Sequence, residues 1–229
     1  MVQNNARDKE PTQIIYADVT SVYGHAWRQM WKYILELLLI VIVGFLFSIP
    51  AAGLSVVEEA EGAGAFFVGI FSLAYLVLVL WPIEYGVAYT ALKAARGERP
   101  EVKDIFEVFQ NYGNAILANI LTAIIIGFGI ILLIIPGIFF ACKLAFVPYL
   151  IVDKKMEAVE AVKESWRKTE GHALTVFLIG FLAIFIVIAG LIVMVVGVIA
   201  AAIWIEVAFA SLYYVVSKQA AEQVQAAGA

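Results

Sequence analysis

Three charged side chains of this sequence lie deep inside long apolar runs, which makes them the first candidates for chemistry. Glu84, Lys143 and Glu206 each stand two residues before a small residue. Counted at helical rise from the charged end of its run, each lies about 14 to 18 Å deep, near the middle of a bilayer. An ionised group there is costly unless it is paired, hydrated or neutralised. We therefore expect a buried charge layer in which Lys143 pairs with Glu84 or Glu206.

One cation and two carboxylates would leave excess negative charge in this layer. One glutamate would then be protonated, hydrated or reached by a cationic ligand. The layer is compatible with a proton or ion relay, with the polar centre of a substrate cavity, or with a structural ion pair that fixes which helices meet. Pro82 and Pro148 lie close to it in the sequence. Both are expected to kink their helices and to free carbonyl groups in the same layer.

The sequence carries no recognisable catalytic or metal-binding pattern. Its two histidines, His25 and His172, have no cysteine or carboxylate at metal-ligand spacing. It has neither a glycine-rich phosphate loop nor a Gly-x-Ser-x-Gly turn, and its polar segments are too short to fold a catalytic domain alone. Basic residues alternate with glutamates, unlike a nucleic-acid-binding patch. We expect no catalysis, no cofactor, no metal and no nucleic acid.

The elements that must hold the charge layer are membrane spans. Hydrophobic residues make up 63% of the 229 residues and charged residues only 15%, which excludes an ordinary soluble domain. A span needs about 20 apolar residues, so the runs 34–54 and 65–92 each fit one helix. The runs 115–152 and 173–217 would be roughly 57 Å and 68 Å long as single helices. Each of these two is therefore predicted to be a hairpin, which gives six spans in all.

Two residue pairs are candidates for the reversals in the long runs. Pro136 and Gly137 combine a helix stop with a residue that is free to turn, so we place the second hairpin's turn there. Gly190 or Gly197 is the expected turn of the third hairpin.

The basic residues predict the orientation of these spans. With six spans, every Lys and Arg except Lys143 falls on one side, and Lys and Arg in short loops mark the cytoplasmic side. The opposite side receives Glu58, Glu59 and Glu61. Both termini are therefore expected in the cytoplasm. No secretory signal peptide is recognisable, and residues 1–12 and 218–229 are predicted to be tails.

The cytoplasmic segments 13–33, 100–113 and 155–170 are amphipathic. Apolar residues recur in them at positions 0, 3 and 7, the pattern of a helix with one apolar face. Aromatic residues favour the headgroup region, so we expect interfacial helices that precede each hairpin. The three stripes are Val19-Val22-Ala26, Val102-Ile105-Phe109 and Val159-Val162-Trp166, and the aromatic candidates for the interface are Trp27, Trp31, Phe109 and Trp166.

The prediction is thus a single all-α membrane domain over 1–229. It consists of hairpins 34–92, 115–152 and 173–217, each preceded by an interfacial helix. The three units run in the same direction, as internal repeats related by an axis near the membrane normal would.

One stretch resembles a known group of proteins. Its pattern is Pro-Gly, a basic residue in the next helix, a Pro, an acidic residue at the membrane exit, then Ala, Ser-Trp and Gly. The matching residues are Pro136, Gly137, Lys143, Pro148, Asp153, Ala161, Ser165, Trp166 and Gly171. Over about residues 135–171 the chain resembles the YciC-like inner-membrane proteins and the membrane domain of some glycerophosphodiester phosphodiesterases. The family position at Lys143 is usually Arg, and Lys, unlike Arg, can lose its charge when buried.

The resemblance implies a six-helix membrane domain linked to envelope or lipid homeostasis, without catalysis of its own. We therefore expect a non-enzymatic, multi-pass protein of a prokaryotic cytoplasmic membrane, an accessory or scaffold subunit or an organiser of membrane lipids. Its expected partners are membrane lipids and either another protein or a second copy of the chain. The alternative is a small transporter or channel that uses Glu84, Lys143 and Glu206.

Overall fold

The computed structural model describes residues 16–56, 63–192 and 194–227, and within them it is helical, without a strand. Two predictions lie outside the described residues: the tail over 1–12 and the acidic loop of Glu58, Glu59 and Glu61. A π-helical turn, Leu76–Leu80, and a 3-10 helix, Val102–Asn111, interrupt the α-helices. The α-helices are α1 Val19–Lys32, α2 Ile34–Val56, α3 Ala63–Tyr75, α4 Trp81–Ala95, α5 Tyr112–Leu132, α6 Ile134–Leu144, α7 Val147–Asp153, α8 Ala158–Lys168, α9 Ala173–Ile192 and α10 Met194–Ala227.

Among the described residues, five helical stretches are long and apolar enough to cross a membrane. A sixth is added if α1 and the first part of α2, which meet at 89° across Tyr33, count as one span. The predicted fold class is thus confirmed in its coarser part: the described chain is all-helical, with five or six helices long and apolar enough to span a membrane. The five stretches are Phe66–Ala95, Val102–Leu132, Ile134–Asp153, Ala173–Ile192 and Gly197–Gln223.

The tightly packed core lies at one end of the molecule, where α1, α4, α7 and α10 meet. Side chains such as Met30, Leu92, Leu150 and Tyr213 are fully buried there. The helix ends away from this core expose their apolar side chains, and Ile131, at 85%, is the most exposed large hydrophobic residue among those whose exposure is described. An exposed apolar surface of this extent needs a cover, and lipid is the cover that the composition favours.

The second hairpin reverses at Leu133, so the prediction that its turn lies at Pro136 and Gly137 was wrong. Leu133 is the only residue between α5 and α6, and it is extended, with φ −170° and ψ 149°. Pro136 lies in the first turn of α6, where the missing N–H costs nothing. Gly137 is a contact residue: a Cβ there would lie 2.9 Å from the backbone N of Ile130. Its lack of a side chain lets α5 and α6 approach closely.

In the third hairpin, too, the glycines predicted to form the turn are contact residues between two helices. Helix α9 ends at Ile192 and helix α10 starts at Met194, so both predicted turn glycines lie inside helices. Gly190 and Gly197 are not the turn. They lie where the two helices touch, since a Cβ on Gly190 would lie 2.7 Å from the carbonyl oxygen of Gly197. Small residues at such contacts are typical of helices packed in membranes.

Pro82 disturbs its helix as predicted from its type, and the disturbance is a π-helical turn. The N–H of Trp81 bonds to the carbonyl of Leu76, five residues back, and Pro82 follows with no N–H to donate. The carbonyl of Leu78, four residues before Pro82, therefore loses its normal helical partner. The hydroxyl of Tyr112 donates to it instead at 2.5 Å.

The segment predicted as a second interfacial α-helix is a 3-10 helix over Val102–Asn111. With three residues per turn, its buried side is Val102, half-buried, with Ile105 and Val108, both fully buried. Phe109, which the 0, 3, 7 pattern placed on that side, is 46% exposed. That part of the prediction was wrong because the pattern assumed 3.6 residues per turn.

The aromatic residues of this 3-10 helix form a second stripe with the same period of three. The rings of Phe106 and Phe109 stack at 6.1 Å, and those of Phe109 and Tyr112 stack at 5.4 Å. Phe47 of α2 contacts the first of these rings edge-on. Since Phe106 and Phe109 are both exposed, this stack forms part of the outer surface.

The helix α8 packs through a different face from the predicted apolar stripe. Its buried residues are Ala158, Ala161 and Ser165. Val159 is 51% exposed, and Val162 and Trp166 of the same stripe are half-buried. The helix α8 therefore packs against the rest of the protein through its small residues. Val162 and Trp166 lie at the edge of this contact, and Val159 lies on the outer surface.

The helix α1 buries one face, which includes the large residues Tyr23 and Met30, and exposes both of its tryptophans. Val22 and Ala26 are fully buried, while Trp27 is 44% and Trp31 is 55% exposed. The ring of Trp27 lies between Trp31 and Trp204 of α10, with centroids 5.6 Å and 4.8 Å away. Trp204 on α10 thus contacts Trp27, which in turn contacts Trp31.

Candidate functional site

Lys143 lies in the last turn of α6 and is 7% exposed. No carboxylate of the described residues lies within 4.0 Å of its nitrogen, so the pairing predicted with Glu84 or Glu206 is absent. The ammonium instead lies 5.7 Å from the ring centre of Phe139 and 5.6 Å from that of Trp166. A cation over aromatic faces is attracted by their negative charge distribution. The reason for the difference is that α8, which carries Trp166, packs beside the end of α6.

The backbone beside Lys143 is broken, and two side chains of α8 compensate for the break. Ser165 donates a hydrogen bond to the carbonyl of Lys143 at 2.8 Å and accepts one from the N–H of Phe146 at 3.2 Å. Thr169 also donates to the carbonyl of Lys143, at 3.3 Å. Pro148, near the start of α7, prevents the two helices from being continuous. Ser165 and Thr169 are fully buried, so the gap between α6 and α7 is sealed from water.

Glu84 of α4 and Glu206 of α10 lie close enough for their charges to interact. Glu84 is exposed on the surface of the protein and Glu206 is half-buried. Within the described residues neither carboxylate has a cation within 4.0 Å or a hydrogen-bond donor. Two carboxylates whose charges interact can share a proton or bind a cation, and this is the chemistry that these two residues offer.

The three predicted charges therefore do not form one layer of mutual contacts. Glu84 and Glu206 belong to the α4 and α10 interface, whereas Lys143 belongs to the α6 and α8 interface.

Asp153 forms an ion pair that sequence reasoning missed. The guanidinium of Arg96 donates two hydrogen bonds to its two carboxylate oxygens, both at 2.7 Å, and Tyr213 contacts the same carboxylate at 3.4 Å. Burial disfavours the charged guanidinium, but the hydrogen bonds and charge of Asp153 outweigh it and raise the pKa of Arg96. The pair joins the end of α4 to the end of α7. No spacing rule connects residues so far apart in sequence.

The two histidines take up polar positions of different kinds. His25 is 8% exposed, and its Nε2 lies 2.9 Å from the carbonyl oxygen of Ala95, so that nitrogen carries the proton and donates. His172 lines an open polar cavity of about 440 Å³ beside the end of α10. No group of three or more metal-ligating side chains occurs in the part of the chain that the structure describes.

The residues that carry the family resemblance have identifiable packing roles. Pro136 and Gly137 start α6 against α5, and Pro148 starts α7. Lys143 lies close to the ring of Trp166, and Asp153 forms the ion pair with Arg96. Ala161 is fully buried, and Ser165 bridges the backbone gap between α6 and α7. Gly171 follows α8 in the left-handed conformation, with φ +77°.

No family model matches the chain, and no solved structure matches it.

Proposed function

We propose that this chain is a non-enzymatic membrane protein that organises lipids around it, in the cytoplasmic membrane of a prokaryote. The observation that carries the proposal is the contrast between the two ends of the molecule. Buried contacts hold one end together, while large apolar side chains such as Ile135, Ile188 and Ile192 are more than half exposed elsewhere. Such a surface is stable only against lipid or against another apolar partner.

The proposal includes the finer topology. The chain has six spans in three hairpins, with α1, the 3-10 helix and α8 as the helices that precede them. Both termini face the cytoplasm, because the basic residues then lie inside. The bend of 89° between α1 and α2 supports an α1 that lies along the membrane surface instead of crossing it. Trp27 and Trp31 are then positioned for the headgroup region.

The role of the charges supports organisation rather than transport. Lys143 has no acidic partner among the described residues and lies under aromatic rings, so it does not continue a path from Glu84 or Glu206. The resemblance to envelope-linked membrane domains points in the same direction.

Native mass spectrometry of the protein released from gently isolated membranes tests this function. The expected spectrum shows the 25.1 kDa chain with lipids retained in defined numbers, and a stoichiometric protein partner would extend the role to that of an accessory subunit. A chain that keeps neither lipid nor partner under conditions that preserve its fold would refute the proposal.

A second candidate function is proton-coupled or cation-coupled transport, and the neighbouring Glu84 and Glu206 favour it. In proteoliposomes with a pH-sensitive dye inside, such a carrier would dissipate a pH gradient. Replacement of Glu206 by Gln would abolish the flux while the protein stays folded. Equal leak rates for the wild type, the variant and empty vesicles would exclude this candidate.

A further inference from the structure

The open polar cavity of about 440 Å³ beside the end of α10 has a wall of mixed charge. Lys168 of α8 lines it together with Glu170 and His172, which lie between α8 and α9. From α10 it is lined by the amide side chains of Gln219 and Gln223. Groups that donate and groups that accept hydrogen bonds therefore surround one space, as in a site that orients a polar ligand.

The cavity lies where its neighbouring helices leave the membrane. Of its lining residues, His172 directly precedes the candidate span Ala173–Ile192, and Val216 is the twentieth residue of the candidate span Gly197–Gln223. About 20 helical residues cross the hydrocarbon of a bilayer, so Gln219 lies beyond it. Both walls of the cavity are therefore at the level of the lipid head groups.

Lys168 brings to this cavity a cation whose donors are unused. Its side chain is only 14% exposed, and its nitrogen lies 3.7 Å from Oε1 of Glu164, beyond hydrogen-bond distance. The other oxygen of Glu164 is paired with Arg167 at 2.5 Å, so one carboxylate is shared by two cations. A lysine ammonium has three N–H donors, and no acceptor for them occurs in the described chain. An oxyanion in the cavity would supply one.

Glu170, two residues further along the chain, brings the opposite charge. It is exposed, and no Lys, Arg or His of the described residues lies within 4.0 Å of its carboxylate. The cavity therefore carries one cation and one anion that both lack a hydrogen-bonded partner. Glu170 would repel a ligand that is only anionic, and Lys168 would repel one that is only cationic. A ligand with a negative and a positive group close together complements both.

The apolar outer surface of α9 begins next to this cavity. Leu174, two residues after His172, is 69% exposed, and Leu178 is 40% exposed. The two leucines are spaced by four residues and share one face of the helix. Leu174 lies only about 3 Å from His172 along the helix axis. Polar groups at the head-group level are thus followed by a surface that suits an acyl chain.

We propose that this cavity binds the head group of a zwitterionic phospholipid with a primary ammonium, phosphatidylethanolamine. The phosphate binds to Lys168, the ammonium binds to Glu170, and an acyl chain lies along Leu174 and Leu178. Basic pockets between helices on the cytoplasmic side recognise lipid head groups, and here the added carboxylate selects the zwitterion over an anionic lipid. The site rests on the proposed lipid-organising function and names the class of lipid and the residues through which it acts.

The test is a native mass spectrometry titration of the full chain in detergent with dioleoylphosphatidylethanolamine and, separately, dioleoylphosphatidylglycerol. We expect the ethanolamine lipid to bind at least about threefold more tightly, because the anionic lipid lacks the ammonium. Lys168→Met removes the charge but keeps the length of the side chain. It should weaken binding of the ethanolamine lipid about tenfold, the loss of one hydrogen bond to a charged group. Lys163→Met, exposed on the same helix, is the matched control and should bind within about twofold of the wild type.

Two further arms test the selectivity and the source of the head group. Glu170→Gln should abolish the preference for the ethanolamine lipid, whereas Glu160→Gln, exposed on α8, should keep it. Because Glu170 is exposed, this arm stays informative even if Lys168→Met fails to fold. Soluble glycerophosphoethanolamine should not compete at equal concentration, because it lacks the acyl chains.

Four results would overturn this site. The first two are equal binding of the two lipids by the wild type and equal binding of the ethanolamine lipid by the Lys168 and Lys163 variants. The others are a preference that survives in Glu170→Gln and competition by the soluble head group. Each would leave the proposed function standing if protein from native membranes still retains lipids in defined numbers.

Discussion

Replacing Ser165 by Ala should expose how much the seal between α6 and α7 contributes to stability. The hydroxyl serves two backbone groups at once, the carbonyl of Lys143 and the N–H of Phe146. The carbonyl keeps a second donor in Thr169, but no other acceptor for the Phe146 N–H occurs in the described chain. Leaving one buried donor without a partner costs about 1–3 kcal/mol. For a chain of this length that corresponds to a melting temperature lower by roughly 4–8 °C at about 2 kcal/mol.

Ser211→Ala is the matched control for this change. Ser211 is also fully buried, but its hydroxyl donates only to the carbonyl of Val207 within its own helix, and that carbonyl keeps its helical partner. We expect its loss to stay below about 1 kcal/mol. Thermal unfolding of both variants in the same detergent, followed by intrinsic fluorescence, measures the difference. Melting temperatures that agree within about 1 °C would show that the Ser165 bridge is not what seals the gap.

Two further substitutions test other contacts. Gly86→Ala should lower the melting temperature by several degrees or prevent folding, because its Cβ would lie 1.9 Å from a backbone oxygen of the 3-10 helix. Gly24→Ala, with nothing within 4 Å, should leave the melting temperature unchanged or raise it, and the reverse order would contradict the packing. Asp153→Asn should cost about 1–3 kcal/mol of unfolding free energy, since it weakens both bonds from the half-buried Arg96. Glu36→Gln, in an exposed pair, should cost less than about 1 kcal/mol, and equal losses would contradict this.

The membrane class could be predicted because span length and apolar composition are local properties. The helices follow from the same signals. The turn positions could not be predicted from Pro136, Gly190 or Gly197. A proline occurs in the first turn of a helix as well as in a turn between helices, and a glycine occurs where two helices touch as well as in a turn. Sequence alone does not tell which of these situations applies.

The partners of the charges depend on contacts between distant segments. Depth along a helix placed Lys143 in one layer with two glutamates, but depth does not fix the direction in which a side chain points. The direction was decided by Trp166, twenty-three residues further along the chain. The pair of Arg96 with Asp153 joins separate helices in the same way and left no pattern in the sequence.

The length of the 3-10 helix over Val102–Asn111 sets the distance between two contacts that anchor it to the preceding helix. Near its start, Asp104 accepts an ion-pair bond from Lys93 at 2.8 Å, and just beyond its end, Tyr112 bonds to the carbonyl of Leu78. The eight residue steps from Asp104 to Tyr112 span about 16 Å at 3-10 rise but only about 12 Å at α-helical rise. A regular α-helix would therefore fall short by about 4 Å and would draw the two anchors closer together. The tighter coil sets the distance at which α5 starts from the end of α4.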